Sequence, residues 1–182
     1  PIITDFMTRG KSPQEALDEV REWQALNTER VAVGNHFKLM IDGAIFSGLS
    51  QMGAPGYLDG HSGVWMVDVP NLTAFAKQFW QAGFQLHAHS NGDAATARFI
   101  ELLEYLLAQN PKRDHRMTLE HFAYSTEDQN RKLAALGAAV SANPYYPYIL
   151  SEIYSGDWLG PDRGPQRVRL RPLEQNGEHI VL

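Results

Sequence analysis

Phe84-Gln-Leu-His-Ala-His-Ser-Asn-Gly-Asp93 alternates in polarity and then breaks into turn-forming residues. Alternate residues of a strand share a face, so Gln85, His87 and His89 point one way while Phe84, Leu86 and Ala88 point the other. One face is rich in ligand groups and the other is apolar. Asn91-Gly92-Asp93 supplies turn and N-cap chemistry for a following helix, which places His89 at the carboxyl end of the strand. In α/β folds that end carries the chemistry.

Upstream, His36 to Asp42 alternates in the same way, with Phe37, Leu39 and Ile41 on one face and His36, Lys38, Met40 and Asp42 on the other. If both faces are covered, as in a parallel sheet, Lys38 lies inside and needs a group to neutralise it. Residues 1–11 read as a loop. Ser12-Pro13-Gln14-Glu15 opens a helix with a capping box, and Ala16, Leu17, Val20 and Trp23 give it one apolar stripe. Gly43 to Gly63 has no periodicity and is rich in Gly, Ser and Pro, the composition of a functional loop or lid. Leu72, Phe75, Ala76 and Phe79 then mark a helix that closes at Gly83.

Downstream, Phe99, Leu102, Leu103, Leu106 and Leu107 define a helix that stops at Asn110-Pro111. Met117 to His121 is the next strand, with Met117, Leu119 and His121 on one face and Glu120, read as structural, on the other. Ser125-Thr-Glu-Asp128 caps a helix ending at Gly137, and Ala138 to Asn143 is a short strand followed by the aromatic loop Pro144-Tyr-Tyr-Pro147. A helix from Arg167 to Gln175, a Gly177 stop and the start of a strand at His179 complete the pattern. Alternating strands and helices predict an α/β fold with parallel strands. An open doubly wound sheet and an incomplete (β/α)8 TIM barrel both fit. No glycine-rich phosphate loop follows any strand, so nucleotide-binding versions of the doubly wound sheet lose ground.

Composition narrows the chemistry. The 182 residues are 43% apolar and 20% charged, ordinary for a globular protein, and the net charge of −5 gives no basic footprint for nucleic acid. A small molecule is the expected partner. The chain has no Cys, so any metal takes nitrogen or oxygen ligands. No signal-peptide pattern and no membrane-spanning run is present, and a cytoplasmic location is expected.

Lys38, His89 and His121 lie near the carboxyl ends of three successive strands, with His87 one alternation below His89. Two imidazoles from neighbouring strands suit a divalent ion of the zinc class. Such an ion acidifies its water and polarises a carbonyl, the two requirements of hydrolysis near neutral pH. A buried lysine joins such a site as a carboxylated (carbamate) side chain, an anionic oxygen ligand able to bridge two ions.

Phe37-Lys-Leu-Met-Ile-Asp-Gly43, His87-Ala-His-Ser-Asn-Gly-Asp93 and Thr118-Leu-Glu-His121, in this order and spacing, resemble the amidohydrolase superfamily, and within it the YtcJ-like, amidohydrolase-3 branch of metal-dependent hydrolases. The resemblance covers residues 12–182. It implies a (β/α)8 barrel, one or two divalent ions and hydrolysis of amide-type C–N bonds. It also implies Lys38, His89 and His121 as metal ligands from strands 4, 5 and 6.

Two family features have no counterpart: the strand-1 His-x-His pair and the strand-8 Asp that serves as general base, which is expected beyond Leu182. The chain therefore reads as one domain, residues 1–182, covering about strands 4 to 8 of a barrel that usually has roughly 250 residues. Such a piece is expected to be inactive alone. Its unpaired sheet edges are expected to drive self-association. His87, Asp42 and Asp93 are candidates for second contacts to ligands or substrate, although Asp93 also suits a helix cap and Asp42 a turn. Tyr145 and Tyr146 read as packing aromatics, and His36, His61, His115 and His179 take no role. The competing readings are a non-catalytic half-barrel that binds a ligand or partner, and an open α/β small-molecule domain without metal.

Overall fold

A computed structural model describes residues 3–166, 168, 174 and 179–181. Six parallel strands lie in chain order: β1 (Ile3–Thr4), β2 (His36–Met40), β3 (Gln85–Ser90), β4 (Thr118–His121), β5 (Ala139–Ala142) and β6 (His179–Val181). Between them run α1 (Pro13–Ala25), α2 (Val69–Gln81), α3 (Asp93–Gln109), α4 (Glu127–Leu136) and the short α5 (Tyr145–Ile149). A doubly wound sheet reverses its strand order; this one never does. An unreversed order with a shared helix layer is the arc of a TIM-type barrel.

The helix starts follow their caps. Ser12 and Glu15 form the expected capping box on α1, with Pro13 at the first helical position. Asp68 caps α2, and Thr126 with Gln129 makes a second box on α4, whose end is the left-handed Gly137. Two expectations are corrected. Residues 1–11 are not all loop, because Ile3 and Thr4 pair with Phe37 and Lys38 as a sixth strand, and Asp5–Thr8 is a 3-10 turn. Pro144–Pro147 is not a loop either, since it leads into and partly forms α5. The helix expected from Arg167 to Gln175 and its Gly177 stop lie mostly outside the described residues.

One apolar cluster binds the outward strand faces to the helices. Phe37, Leu39, Leu86, Ala88, Leu119 and Val140 meet Leu17, Leu72, Phe79, Phe99, Leu103 and Leu133. Phe37 stacks on Phe79 with ring centroids 3.6 Å apart, and Phe79 meets Phe84 edge-on at 5.1 Å. Since apolar residues fill the outward face, the alternate residues of every strand are left to line the inside.

A second cluster sits at the carboxyl end of the strands. Ile45, Met52 and Tyr57 from the 43–63 loop pack on Ala123, Tyr124, Tyr154 and Leu159. The Tyr154 hydroxyl donates to the Ile45 carbonyl at 2.6 Å, the Tyr57 hydroxyl to Ser50 at 3.0 Å, and Arg163 to the Gly56 carbonyl at 2.6 Å. The loop is thus a packed cover. His61 fastens it: Nδ1 lies 2.5 Å from the Asp59 carboxylate, Nε2 lies 2.8 Å from the Gly48 carbonyl, and the ring stacks on Tyr57 at 4.2 Å. Neither partner is a donor, so only the doubly protonated imidazolium satisfies both.

Two outcomes are expected. Phe79→Ala removes the centre of the aromatic stack and should lower unfolding free energy by about 3–5 kcal/mol in urea titration. The Gly48 carbonyl, then the Asp59 carboxylate, raise the His61 pKa above its ordinary value. A raised folded pKa stabilises fully below the unfolded value near 6.5 and fades as pH climbs through the folded value. Amide exchange at Tyr57 and Gly60, relative to intrinsic rates, should therefore be slower at pH 6 than at pH 9, and His61→Gln should erase the difference.

Candidate functional site

The inward residues are His36, Lys38 and Met40 on β2, Gln85, His87 and His89 on β3, Glu120 on β4 and Ser141 on β5, as strand alternation requires. In register, Lys38 lies beside His87, Met40 beside His89, and His89 beside Glu120.

Alternation alone would send His121 outward with Met117 and Leu119, both fully buried in the helix layer. The backbone prevents this. His121 and Phe122 both have positive φ, 76° and 47°, which breaks the pleat. Phe122 is buried in the apolar cluster, and the imidazole of His121 meets that of His89 edge-on, with centroids 4.5 Å apart.

Each of these two rings has one nitrogen occupied. Nε2 of His89 lies 2.9 Å from the Asn91 side-chain amide and 3.4 Å from the Gly43 carbonyl; Nδ1 of His121 lies 3.4 Å from the Tyr146 hydroxyl. Burial, then the positive charge of Lys38, holds the His89 pKa below the ordinary imidazole range. For His121, burial, His89 and Lys38 push it down to about 4. Both rings are therefore neutral near pH 7 and keep a lone pair. Lys38 is close enough for its charge to act on both.

Asp42 is fully buried behind this pair. One carboxylate oxygen accepts from Gln51 N and Gly92 N, both at 2.9 Å, and the other from Asn91 N at 3.0 Å. Burial pushes the Asp42 pKa up to about 7, while the three backbone donors stabilise the ionised form. The carboxylate stands 3.9 Å from His89 Nε2. The strand-to-helix turn comes so close to the cover loop that a Cβ on Gly92 would fall 1.9 Å from the Gln51 carbonyl oxygen. Asp93 is the first residue of α3 rather than its N-cap, and its carboxylate accepts both from Ala94 N in the first turn at 3.1 Å and from Gly53 N at 2.7 Å, which pins the cover loop a second time.

Glu120 is the main correction to the sequence reading. It does not lie on the far side of the sheet from the site. It shares the inner face with His87, whose Nδ1 approaches its carboxylate at 2.7 Å. The other nitrogen of His87 lies 3.1 Å from Nδ1 of His36. Burial raises the Glu120 pKa, but hydrogen bonds from His87 and Ser141 outweigh it and hold the carboxyl below its ordinary value. His36 and Tyr146, given no functional part from sequence, both contact the site. The signal for His36 was its place in phase with Lys38; Tyr146 had none.

Among the described residues no three His, Asp or Glu side chains converge in the manner of a complete metal site. The convergent set is two imidazoles with Lys38 nearby. A separate cavity of about 700 Å³ lies among Leu39, Trp65, Phe75 and Arg98 on the helix side and includes none of these groups.

The fold resembles that of an uncharacterised metal-dependent hydrolase from Pyrococcus furiosus, with 21% identity and a TM-score of 0.71 over 93% of this chain and 34% of that one. A counterpart from Pyrococcus horikoshii OT3 gives 16% identity and the same TM-score of 0.71 over 90% of this chain and 33% of that one. This chain thus spans about a third of the length of each. No curated protein matches it significantly. Likeness at this identity establishes the fold, and the sequence profile of the amidohydrolase family matches residues 3–182. The chain belongs to the amidohydrolase family.

Proposed function

We propose that Lys38, His89 and His121 hold a divalent metal ion, with zinc the best match, and that the protein hydrolyses an amide-type C–N bond of a small molecule. The observation that carries this reading is the meeting of two neutral imidazoles at the carboxyl ends of adjacent strands. Outer-shell contacts that take one nitrogen of a histidine and leave the other are characteristic of metal-binding rings. Here they leave Nε2 of His121 for the ion, and Nδ1 of His89 in the tautomer whose Nε2 donates to the Gly43 carbonyl. The donor set therefore fits a zinc-class ion, which prefers imidazole and oxygen.

Lys38 fits only after modification, because an ammonium has no lone pair. Its neutral amine adds to CO2 to give a carbamate and a proton, and the carbamate oxygens are then anionic ligands able to serve one ion or bridge two. A bound divalent ion supplies a Lewis acid that acidifies water and polarises an amide carbonyl. The chain's own residues do the rest. Asn91 and Gly43 set the plane of the His89 ring, Tyr146 does so for His121, and the 43–63 cover limits access of bulk water. The general base, in this reading, is an Asp beyond Leu182. We place the protein in the cytoplasm; no helix among the described residues is long and apolar enough to cross a membrane.

The competing reading is a ligand-binding domain without metal, favoured by the lack of a third convergent His, Asp or Glu among the described residues. Zinc analysis of the protein encoded by the complete reading frame separates the two. The parent should copurify with or take up zinc stoichiometrically. His89→Ala and His121→Ala should each weaken zinc by more than the ~10–100-fold that outer-shell changes cost, and amide turnover should fall with it. A parent that takes up no zinc, or alanine variants that bind it normally, would establish the metal-free reading.

A further inference from the structure

We propose that Glu120 is a positioning residue whose carboxylate, tied down by His87 and Ser141, is the fixed negative charge that favours a cation among Lys38, His89 and His121. The inference rests on the metal reading above and adds to it a group outside the ligand set.

A half-buried carboxylate on the inner face needs a reason to be there, because desolvation opposes its charge. The donors arranged around Glu120 supply part of one. Its carboxylate accepts, so Nδ1 of His87, at 2.7 Å, carries the hydrogen. Its other nitrogen, Nε2, lies 3.1 Å from Nδ1 of His36. The contacts therefore form a line across three strands, from His36 to His87 to Glu120, and a hydrogen bond from Ser141 also lowers the Glu120 pKa. These contacts hold the carboxylate in place on the inner face.

Glu120 stands outside the proposed ligand set. One oxygen is committed to His87, and His89, Glu120 and His121 do not together form a metal-binding cluster among the described residues. Glu120 is nevertheless the register neighbour of His89 and the chain neighbour of His121. It shares the inner face of the sheet with His89 and Lys38. The other carboxylate close to His89 is Asp42, and that one is saturated by three backbone N–H groups. Glu120 is thus the inner-face anion whose field is directed at the ligand positions, where a divalent ion would feel it at twice the strength of a single charge.

The test is zinc affinity, measured by chelator competition on the complete protein, for Glu120→Gln and Glu120→Asp, with thermal melting alongside. Gln keeps the shape and can still accept from His87 but loses the charge. Asp keeps the charge but shortens the reach. A charge role predicts zinc weakened by about 10–100-fold in the Gln variant, a smaller loss in the Asp variant, and a melting temperature close to the parent's for Gln. A purely structural brace predicts the reverse order, with Gln the better replacement.

Parental zinc affinity in Glu120→Gln, the reversed order, or a Gln variant that does not fold would each overturn the proposal. If the parent binds no zinc, or His89→Ala and His121→Ala keep it, the metal reading itself fails and this inference falls with it. If those two variants lose zinc while Glu120→Gln does not, the inference fails alone.

Discussion

The buried carboxylate of Asp42 is the interaction on which the geometry of the site depends. Three backbone N–H groups from two different segments converge on its two oxygens. One segment is the middle of the cover loop, at Gln51, and the other is the turn from β3 into α3. A buried ion without partners is too costly to persist, so the chain must bring these donors to it or lose the fold at this corner. Bringing them fixes Asn91, whose side chain then reaches both the Gly43 carbonyl and His89. One charge thus sets the end of a strand, the entry of the cover and the plane of a candidate ligand.

The remainder of the site follows from the division of the sheet into two faces. Outward positions of β2 to β5 are covered by helices and filled mainly with apolar side chains, which leaves Lys38, His87, His89 and Glu120 on the inner face. Once inside, those residues are partly desolvated, and desolvation acts differently on acids and bases. It drives His89 and His121 to the neutral form, which can donate a lone pair. Burial opposes the charge of Glu120 as well, but hydrogen bonds from His87 and Ser141 outweigh it and hold its pKa below the ordinary value. A pair of electron donors beside a fixed anion is an environment suited to a cation. Lys38 is the cation the chain itself provides.

Much of this was legible in the sequence because it rests on local periodicity. Alternation put Lys38, His87 and His89 on one face, and the capping signals at Ser12 and at Ser125-Thr-Glu-Asp128 marked helix starts that the structure bears out, the second cap falling on Thr126. What escaped was non-local or depended on backbone exceptions. Ile3–Thr4 is too short to alternate and exists as a strand only because β2 offers it an edge. Glu120 was placed with the scaffold by a correct rule applied one residue too far. An ideal strand does put it opposite His121, but the positive φ at His121 turns that ring back to the inner side. The partners of Asp42 are main-chain groups, which carry no residue signature at all.

The pleat break at His121 also accounts for how two imidazoles can meet at this rim. On adjacent parallel strands, inward residues fall into registered pairs, and the inward partner of His89 is Glu120. A regular β4 would therefore face an imidazole with a carboxylate and send the next histidine into the helix layer. Two consecutive residues in the left-handed region cost energy, since neither is glycine. The cost is offset by the burial of Phe122 among apolar side chains on one side and the His89–His121 contact on the other. The strand thereby presents both Glu120 and His121 inward at successive positions, which no unbroken pleat allows. A carboxylate below and an imidazole above, from neighbouring residues, is the arrangement that this local strain maintains.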